Sequence, residues 1–318
     1  MTPLQTLISA QDVPLRGVLL RCPRCRTEMS GDTCLRCALR MEGRHDIALA
    51  LAPERVEHFA QFTNTYEAIR SAEGRGSSGD EFYLSLPWKD LSGRNNAQWR
   101  IRARSYNHLM TQVLPPQATP GCRRILDVGA GNCWLSFRLS LAGYRPVAVD
   151  LSMSNRDGLR AAEHYRSRLP GLFPRFQAEM DRLPFHDGQF DVVLFNASFH
   201  YSENAEATLR EALRCLRGGG RAIVIDTPWY EREESGRQMV SERRAAFLRK
   251  YGTASDAIEH VEYLTDERLQ NLAAALSVRW EVHFPRYGFR WAMRPLLAKI
   301  RRNRTPSEFR IYVAHKNP

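Results

Sequence analysis

From Arg123 onward short apolar runs alternate with amphipathic stretches. The order is RILDVG, WLSFRLSLAG, RPVAVD, a basic amphipathic helix, RFQAEM, FDVVLFN, the helical pattern ENAEATLREALRCLRGG, and RAIVID. Strand and helix repeated in this way predict an α/β fold, a parallel sheet with helices on both faces. Upstream, ERVEHFAQFTNTYEAIRSAEG reads as a helix, GRGSSGD as a break, and NNAQWRIRARSYNHLMTQVL as a second helix ending at Pro115 and Pro116. Downstream of Thr227 come polar helices and two late strand candidates, WEVHFPRY and EFRIYVAHK. The pattern divides the chain into a cysteine-rich segment (1–50), a helical connecting arm or cap (51–120) and an α/β domain (121–318). There is no internal repeat.

Composition changes this picture little. The 318 residues are 43% hydrophobic and 25% charged, ordinary for a globular chain. No run approaches the roughly 18 apolar residues of a membrane span. The start, MTPLQTLISAQDVPLRG, lacks a basic segment followed by an apolar one, so a cytoplasmic protein is expected. Charge is more informative, because the net +11 is uneven. From Arg286 to Pro318 nine Lys or Arg face one acid, so this tail supplies +8. It suits phosphate, nucleic acid or an anionic membrane surface, or is simply a solvated face.

Of seven cysteines, Cys22, Cys25, Cys34 and Cys37 are packed into 16 residues, while Cys122, Cys133 and Cys215 are scattered and read as ordinary thiols. Two Cys-X-X-Cys knuckles supply four thiolates, enough to close a tetrahedral shell around Zn2+. A closed shell is structural rather than catalytic. The alternative is a pair of redox dithiols.

In ILDVGAGNCW, residues 125–134, a strand runs into a Gly-X-Gly turn and a helix. Gly129 and Gly131 let the backbone turn sharply and approach a ligand closely. A dinucleotide fingerprint would continue to a third glycine; here Cys133 and Trp134 follow, which disfavours NAD and suits a nucleoside without phosphate. Asp150 ends RPVAVD, 23 residues after Asp127. A carboxylate there can accept hydrogen bonds from both ribose hydroxyls, or merely cap the next helix.

With EMDRLPFHDGQFDVVLFNASFHY, residues 179–201, these features resemble class I S-adenosylmethionine-dependent methyltransferases, particularly the group related to ubiquinone and menaquinone biosynthesis. The resemblance runs from about Arg123 to Asp226 and implies a Rossmann-like fold with S-adenosylmethionine as cofactor. It implies that Asp127, Gly129 and Gly131 surround the methionine portion, that Asp150 holds the ribose, that Asp181 and Leu183 lie on the adenine side, and that Asn196 lines the methionine moiety. Gly218, Gly219 and Gly220 match the loop before the fifth strand, with Gly218 where the family usually has Pro. Cys133 replaces the commonest glycine of the first motif. Ala197, Ser198 and Phe199 follow Asn196, so the Asn-Pro-Pro-Tyr signature of amino-directed nucleic-acid enzymes is absent.

The sulfonium of that cofactor already activates its methyl group, so a dedicated base is optional. For a hydroxyl or protonated nitrogen acceptor, His200 and Tyr201 are the candidate catalytic residues; the alternative for His200 is a packed or hydrogen-bonded role. Tyr66, Arg70, Trp99 and Arg102 fall on helices expected to pack over the cofactor. Arg70 suits its carboxylate, or is solvated. Trp229 and Tyr230 line an acceptor pocket or join the core.

A zinc ribbon ahead of such a domain is similar to the bacterial large-subunit rRNA guanine methyltransferases, and to the small zinc-ribbon activators of other methyltransferases. Two acceptors therefore stand. A small molecule or lipid-like metabolite follows from the quinone-group resemblance and the aromatic insertion after Asp226. RNA follows from the basic ribbon (Arg21, Arg24, Arg26, Arg36, Arg40) and the tail. A third reading, a non-catalytic cofactor-binding scaffold, sits poorly with the intact glycines and acids.

Overall fold

The computed structural model describes residues 8–9, 17–114, 123–255 and 257–316. Pro115, Pro116 and Cys122 lie outside them. Among the described residues the N-terminal segment holds five short strands, β1 (Ile8–Ser9), β2 (Met29–Ser30), β3 (Thr33–Cys34), β4 (Glu42–Arg44) and β5 (Ile47–Leu49). The arm forms α1 (Pro53–Ala72), α2 (Asp80–Ser85) and α3 (Asn96–His108), which ends in a wider turn over Leu109–Val113. Next come β6 (Arg124–Val128), α4 (Trp134–Leu141), β7 (Arg145–Asp150), β8 (Arg175–Gln177), β9 (Phe190–Asn196), α5 (Ala205–Cys215) and β10 (Leu216–Ile225). The chain closes with β11 (Pro228–Trp229), α6 (Glu233–Tyr251), α7 (Asp266–Leu276), β12 (Arg279–His283), α8 (Phe289–Ala292), α9 (Arg294–Ile300), β13 (Glu308–Phe309) and β14 (Ile311–His315).

The expected Rossmann-like sheet is present. Strands run in the order β8-β7-β6-β9-β10, all parallel, and β14 and then β12 add antiparallel at one end. At the other end the N-terminal segment extends the same sheet. β5 pairs parallel with β8, and β4 and β1 follow antiparallel. The central strands β6, β7 and β9 are buried on both faces, which is why they are continuous apolar runs. Alternate side chains serve opposite cores: Val193 and Phe195 of β9 pack on the side of α5 and α7, Val192 and Leu194 on the side of α2 and α4.

Two local expectations change. The segment after β7 is not an α-helix but a 3-10 turn over Leu159–Tyr165. Gly158 before it is extended, and a Cβ there would meet Ser152 Oγ at 2.5 Å, so the chain is pinned against the β7 loop where a helix would start. Gly218 to Gly220 lie inside β10, where the register against β9 shifts between Leu216 and Arg221. No helix among the described residues is long and apolar enough to cross a membrane.

Candidate functional site

The order of strands reverses between β6 and β9, and the crevice outside the carboxyl ends of strands at such a point is where open α/β sheets bind ligands. Four neighbouring strands deliver one polar side chain each to it: Asp150 from β7, Asp127 from β6, Asn196 from β9, and Asp226 just past β10. They floor a cavity of about 330 Å³. Three residues that line it, Ala197, Asp226 and Ser255, take left-handed backbone conformations (φ 54°, 53° and 55°) that side chains rarely adopt. Such strain gathers at ligand sites because the surrounding structure holds it in place.

Asp150 organises the turn. Its carboxylate accepts the Gly131 and Ser152 backbone N–H groups, each at 2.8 Å. Gly129 (φ 72°) leaves no room for a side chain, since a Cβ would lie 2.3 Å from Ser198 Cβ. Asp127 is fully buried. One oxygen accepts the Ser136 hydroxyl at 2.7 Å while the other, Oδ1, has no partner. Burial pushes the Asp127 carboxyl up to about 7 and that of Asp150 to about 6. Asp226 accepts the Ser105 hydroxyl and likewise leaves Oδ2 unpartnered.

The roof is α1, which the heptad-like spacing of Phe59, Phe62, Tyr66 and Ile69 turns toward the cavity. Polar ties strap it down. Arg55 pairs with Glu179 and Glu203 at 2.7 Å each, Glu67 accepts the Ser152 hydroxyl, and Arg70 pairs with Asp157. Beneath it Tyr201 meets Tyr66 edge-on at 5.6 Å and His260 at 5.8 Å. His200 borders this aromatic space with Nδ1 unpartnered. Burial, with Arg243 and His260 close by, draws its imidazole down to about 3, so it is neutral. Arg102 also lines the cavity and has no carboxylate within ion-pair distance among the described residues. Burial and the nearby Arg75 and Arg70 bring it down to about 10.

The cavity thus brings together Asp127, Gly129, Gly131, Asp150, Asp181, Asn196, His200 and Tyr201, with Tyr66, Arg70 and Arg102. It does not include Leu183, which is 1% exposed in the core beside Phe185. Trp99 packs on Trp134 instead, and Trp229 and Tyr230 are buried under Arg310 and against Tyr263. Cys133 and Cys215 are fully buried. Sequence reasoning missed Asp226, Asp157 and His260. Asp226 had a signal, its place at the tip of the fifth parallel strand; Asp157 and His260 sit in loops with none.

The cysteine cluster lies apart from the cavity. All four sulfurs fall within 4.8 Å of one another, with Cys22 to Cys37 at 3.5 Å and Cys25 to Cys34 at 3.3 Å. A tetrahedral zinc thiolate shell needs sulfurs about 3.8 Å apart, so the donor set fits that ion. Each knuckle turns alike, with Arg26 N–H donating to the Cys22 carbonyl and Ala38 N–H to the Cys34 carbonyl, and with Arg26 and Ala38 left-handed. The Thr27 hydroxyl draws the Cys34 thiol down to about 5, while burial pushes Cys22 up to about 12. The cluster docks on the segment after Asp181. Leu20 bridges Phe185, Arg21 N–H donates to the Pro184 carbonyl at 3.0 Å, and His186 N–H to the Leu19 carbonyl at 3.1 Å. Four of its arginines are neutralised, Arg21 by Asp187, Arg24 by Glu54, Arg26 by Glu211 and Arg40 by Asp32.

Comparison with known proteins follows the same lines. The family described as "Methyltransferase domain" matches residues 126–224. The chain is 29% identical over 125 residues to the ubiquinone/menaquinone biosynthesis C-methyltransferase UbiE of Rhizobium johnstonii, covering 39% of this chain and 48% of that protein. It is 34% identical over 107 residues to the demethylmenaquinone methyltransferase of Mycobacterium tuberculosis, covering 34% and 42%. It therefore spans about half the length of the curated relatives it matches. Among solved structures, it resembles a Haemonchus contortus phosphoethanolamine N-methyltransferase 2 in complex with S-adenosyl-L-methionine (13% identity, 76% of this chain and 60% of that one, TM-score 0.47). It also resembles an S-adenosylmethionine-dependent methyltransferase from Mesorhizobium loti (19%, 69% and 97%, TM-score 0.43). The segment 126–224 matches a methyltransferase domain, as its motifs imply, and the match leaves the cysteine cluster, the roof helix and the C-terminal 94 residues outside it.

Proposed function

We propose that this protein binds S-adenosylmethionine across the carboxyl edge of its sheet and transfers the methyl group to a small, largely apolar acceptor beneath α1. The observation that carries the reading is the row Asp150, Asp127, Asn196 and Asp226 facing an aromatic roof, with one carboxylate oxygen each on Asp127 and Asp226 buried and unsatisfied. Buried polar atoms without partners are costly, so they mark where a ligand group belongs. Asp150 would hold the ribose, Asp127 with Gly129, Gly131 and Asn196 the amino-acid end, and Asp181 the adenine side, with Leu183 supporting that wall from behind. When bound, the cofactor supplies a methyl group already activated as a sulfonium. The chain's own contribution is to align donor and acceptor and keep water out. Phe59, Phe62, Tyr66 and Tyr201 do the second. His200, neutral at physiological pH, orients an acceptor through a hydrogen bond rather than storing a proton.

The four cysteines are assigned a structural Zn2+, which would brace the contact between the N-terminal segment (1–50) and the Pro184–His186 stretch next to Asp181. The paired arginines leave little free charge on that ribbon for RNA, and the acceptor reading rests instead on the apolar roof. The test is calorimetric titration with S-adenosylmethionine, followed by transfer of labelled methyl to lipid and RNA fractions of cell extract. Saturable binding lost in Asp150→Ala, with label in the lipid or small-molecule fraction, supports the proposal. No binding, or label in RNA alone, rejects it.

A further inference from the structure

Thirteen large hydrophobic side chains are exposed among the described residues, and six of them, Val282, Phe284, Phe289, Leu296, Leu297 and Ile300, fall within 19 residues. Phe289 is 79% exposed and Ile300 68%. Positions 289, 296 and 300 follow the helical repeat along α8 and α9, so the two short helices share one apolar stripe. Between Glu281 and Glu308 the sequence holds seven Lys or Arg and no acid. Arg294 lies over Trp291, and Arg304 pairs with Glu242. Arg286, Arg290, Lys299, Arg301 and Arg302 are exposed and have no carboxylate within ion-pair distance among the described residues.

The stripe is fixed beside the cavity. Trp291 stacks on Phe309 with ring centroids 5.5 Å apart, Tyr287 packs on Trp291 at 5.0 Å, and Phe309 lines the cavity itself. Aliphatic side chains such as Leu296, Leu297 and Ile300 gain nothing against a phosphate backbone, which tells against RNA. A second copy seated on this face would oppose the same uncompensated cations. An anionic bilayer satisfies both halves: headgroups meet the guanidinium groups, and the acyl boundary takes the apolar stripe.

We propose that residues 282–302 form an interfacial docking surface for an anionic lipid bilayer and hold the cavity mouth against it. The docking itself does not depend on methyl transfer; only its purpose, delivery of a lipid-soluble acceptor, rests on the function proposed above. The test is co-sedimentation of the full chain with vesicles of phosphatidylcholine mixed with phosphatidylglycerol, against pure phosphatidylcholine, at low and high salt. Binding is expected to the anionic vesicles alone and to weaken with salt. Arg301→Ala with Arg302→Ala should lower it about fivefold per charge removed. Phe289→Ser with Ile300→Ser should abolish it while the melting temperature and the S-adenosylmethionine titration stay unchanged. Protein left in the supernatant at low salt overturns the proposal, as does binding indifferent to the Phe289 and Ile300 changes. RNA retention, or a dimer dissolved by those same changes, without vesicle binding also overturns it. Failure of the methyltransferase reading shows separately, in the cofactor titration, which contains no lipid.

Discussion

The carboxylate of Asp150 holds the Gly131 backbone N–H at 2.8 Å, so the strand that supplies the acid also shapes the turn of its neighbour. The two motifs are one mechanical unit. Asp150→Ala removes both the ribose acceptor and the clamp on the glycine turn. Two charge-assisted hydrogen bonds are lost, and S-adenosylmethionine affinity should fall by about 100-fold or more. Asp150→Asn keeps the acceptor oxygen and should lose less. Calorimetry on both variants checks this, and equal losses would show that charge rather than the clamp matters.

Burial raises Asp127 to about 7 and Asp150 to about 6, both above the ordinary carboxylate range. Between pH about 4 and 7 the folded chain therefore holds protons that an unfolded chain has released, and the ligand-free protein should lose stability as pH rises through that window. Affinity for a cationic cofactor should move oppositely, rising until both groups are ionised and then levelling. Melting curves and titrations at several pH values test the two signs. In Asp127→Asn the ligand-free protein should melt higher than the unchanged chain at pH about 8.

Gly129→Ala would set a Cβ 2.3 Å from Ser198 at a backbone angle of φ 72°. A loss of about 2 to 4 kcal/mol is expected, from overpacking and left-handed strain together. Denaturant unfolding measures it. Gly129→Ala with Ser198→Gly should recover only part, because the second change relieves the clash and not the backbone.

Removing metal, by chelation or by Cys25→Ser, should lower metal content and loosen the Leu19–Arg21 segment from Pro184–His186, which would be seen as faster hydrogen exchange there. Since Asp181 lies just before it, cofactor affinity should fall with the metal. Unchanged metal content in Cys25→Ser would remove the zinc assignment.

His200 is neutral down to about pH 3, so the rate of methyl transfer should show no inflection near 6.5 from this residue. His200→Asn should retain more activity than His200→Ala, because an amide preserves a hydrogen bond. A profile whose acidic limb vanishes in His200→Ala would instead make this histidine a base.

The strand and helix alternation was legible because the central strands are buried on both faces, and apolar runs such as FDVVLFN have no other reason to exist. Gly129, Gly131 and Asp150 were legible because backbone turns and strand tips leave local signatures. Leu183 was read by position within a motif, but a side chain pointing inward is indistinguishable in sequence from one pointing at a ligand. His260 and Asp157 reach the cavity through loops whose course depends on tertiary packing. The helix expected after β7 failed for the same kind of reason, since Gly158 against Ser152 outweighs a favourable pattern.

The pairing of β5 with β8 joins segments more than a hundred residues apart in sequence. During synthesis the cysteine hairpin emerges early and can close on its own, yet its outer strands wait unsaturated until β8 and the Pro184–His186 stretch are made. Docking is thus a late event, and until it happens the growing chain carries an open sheet edge at each end of the future seam, the kind of edge along which chains join one another by mistake. The N-terminal module is in this sense a seal, fitted only after β8 is made although translated before it.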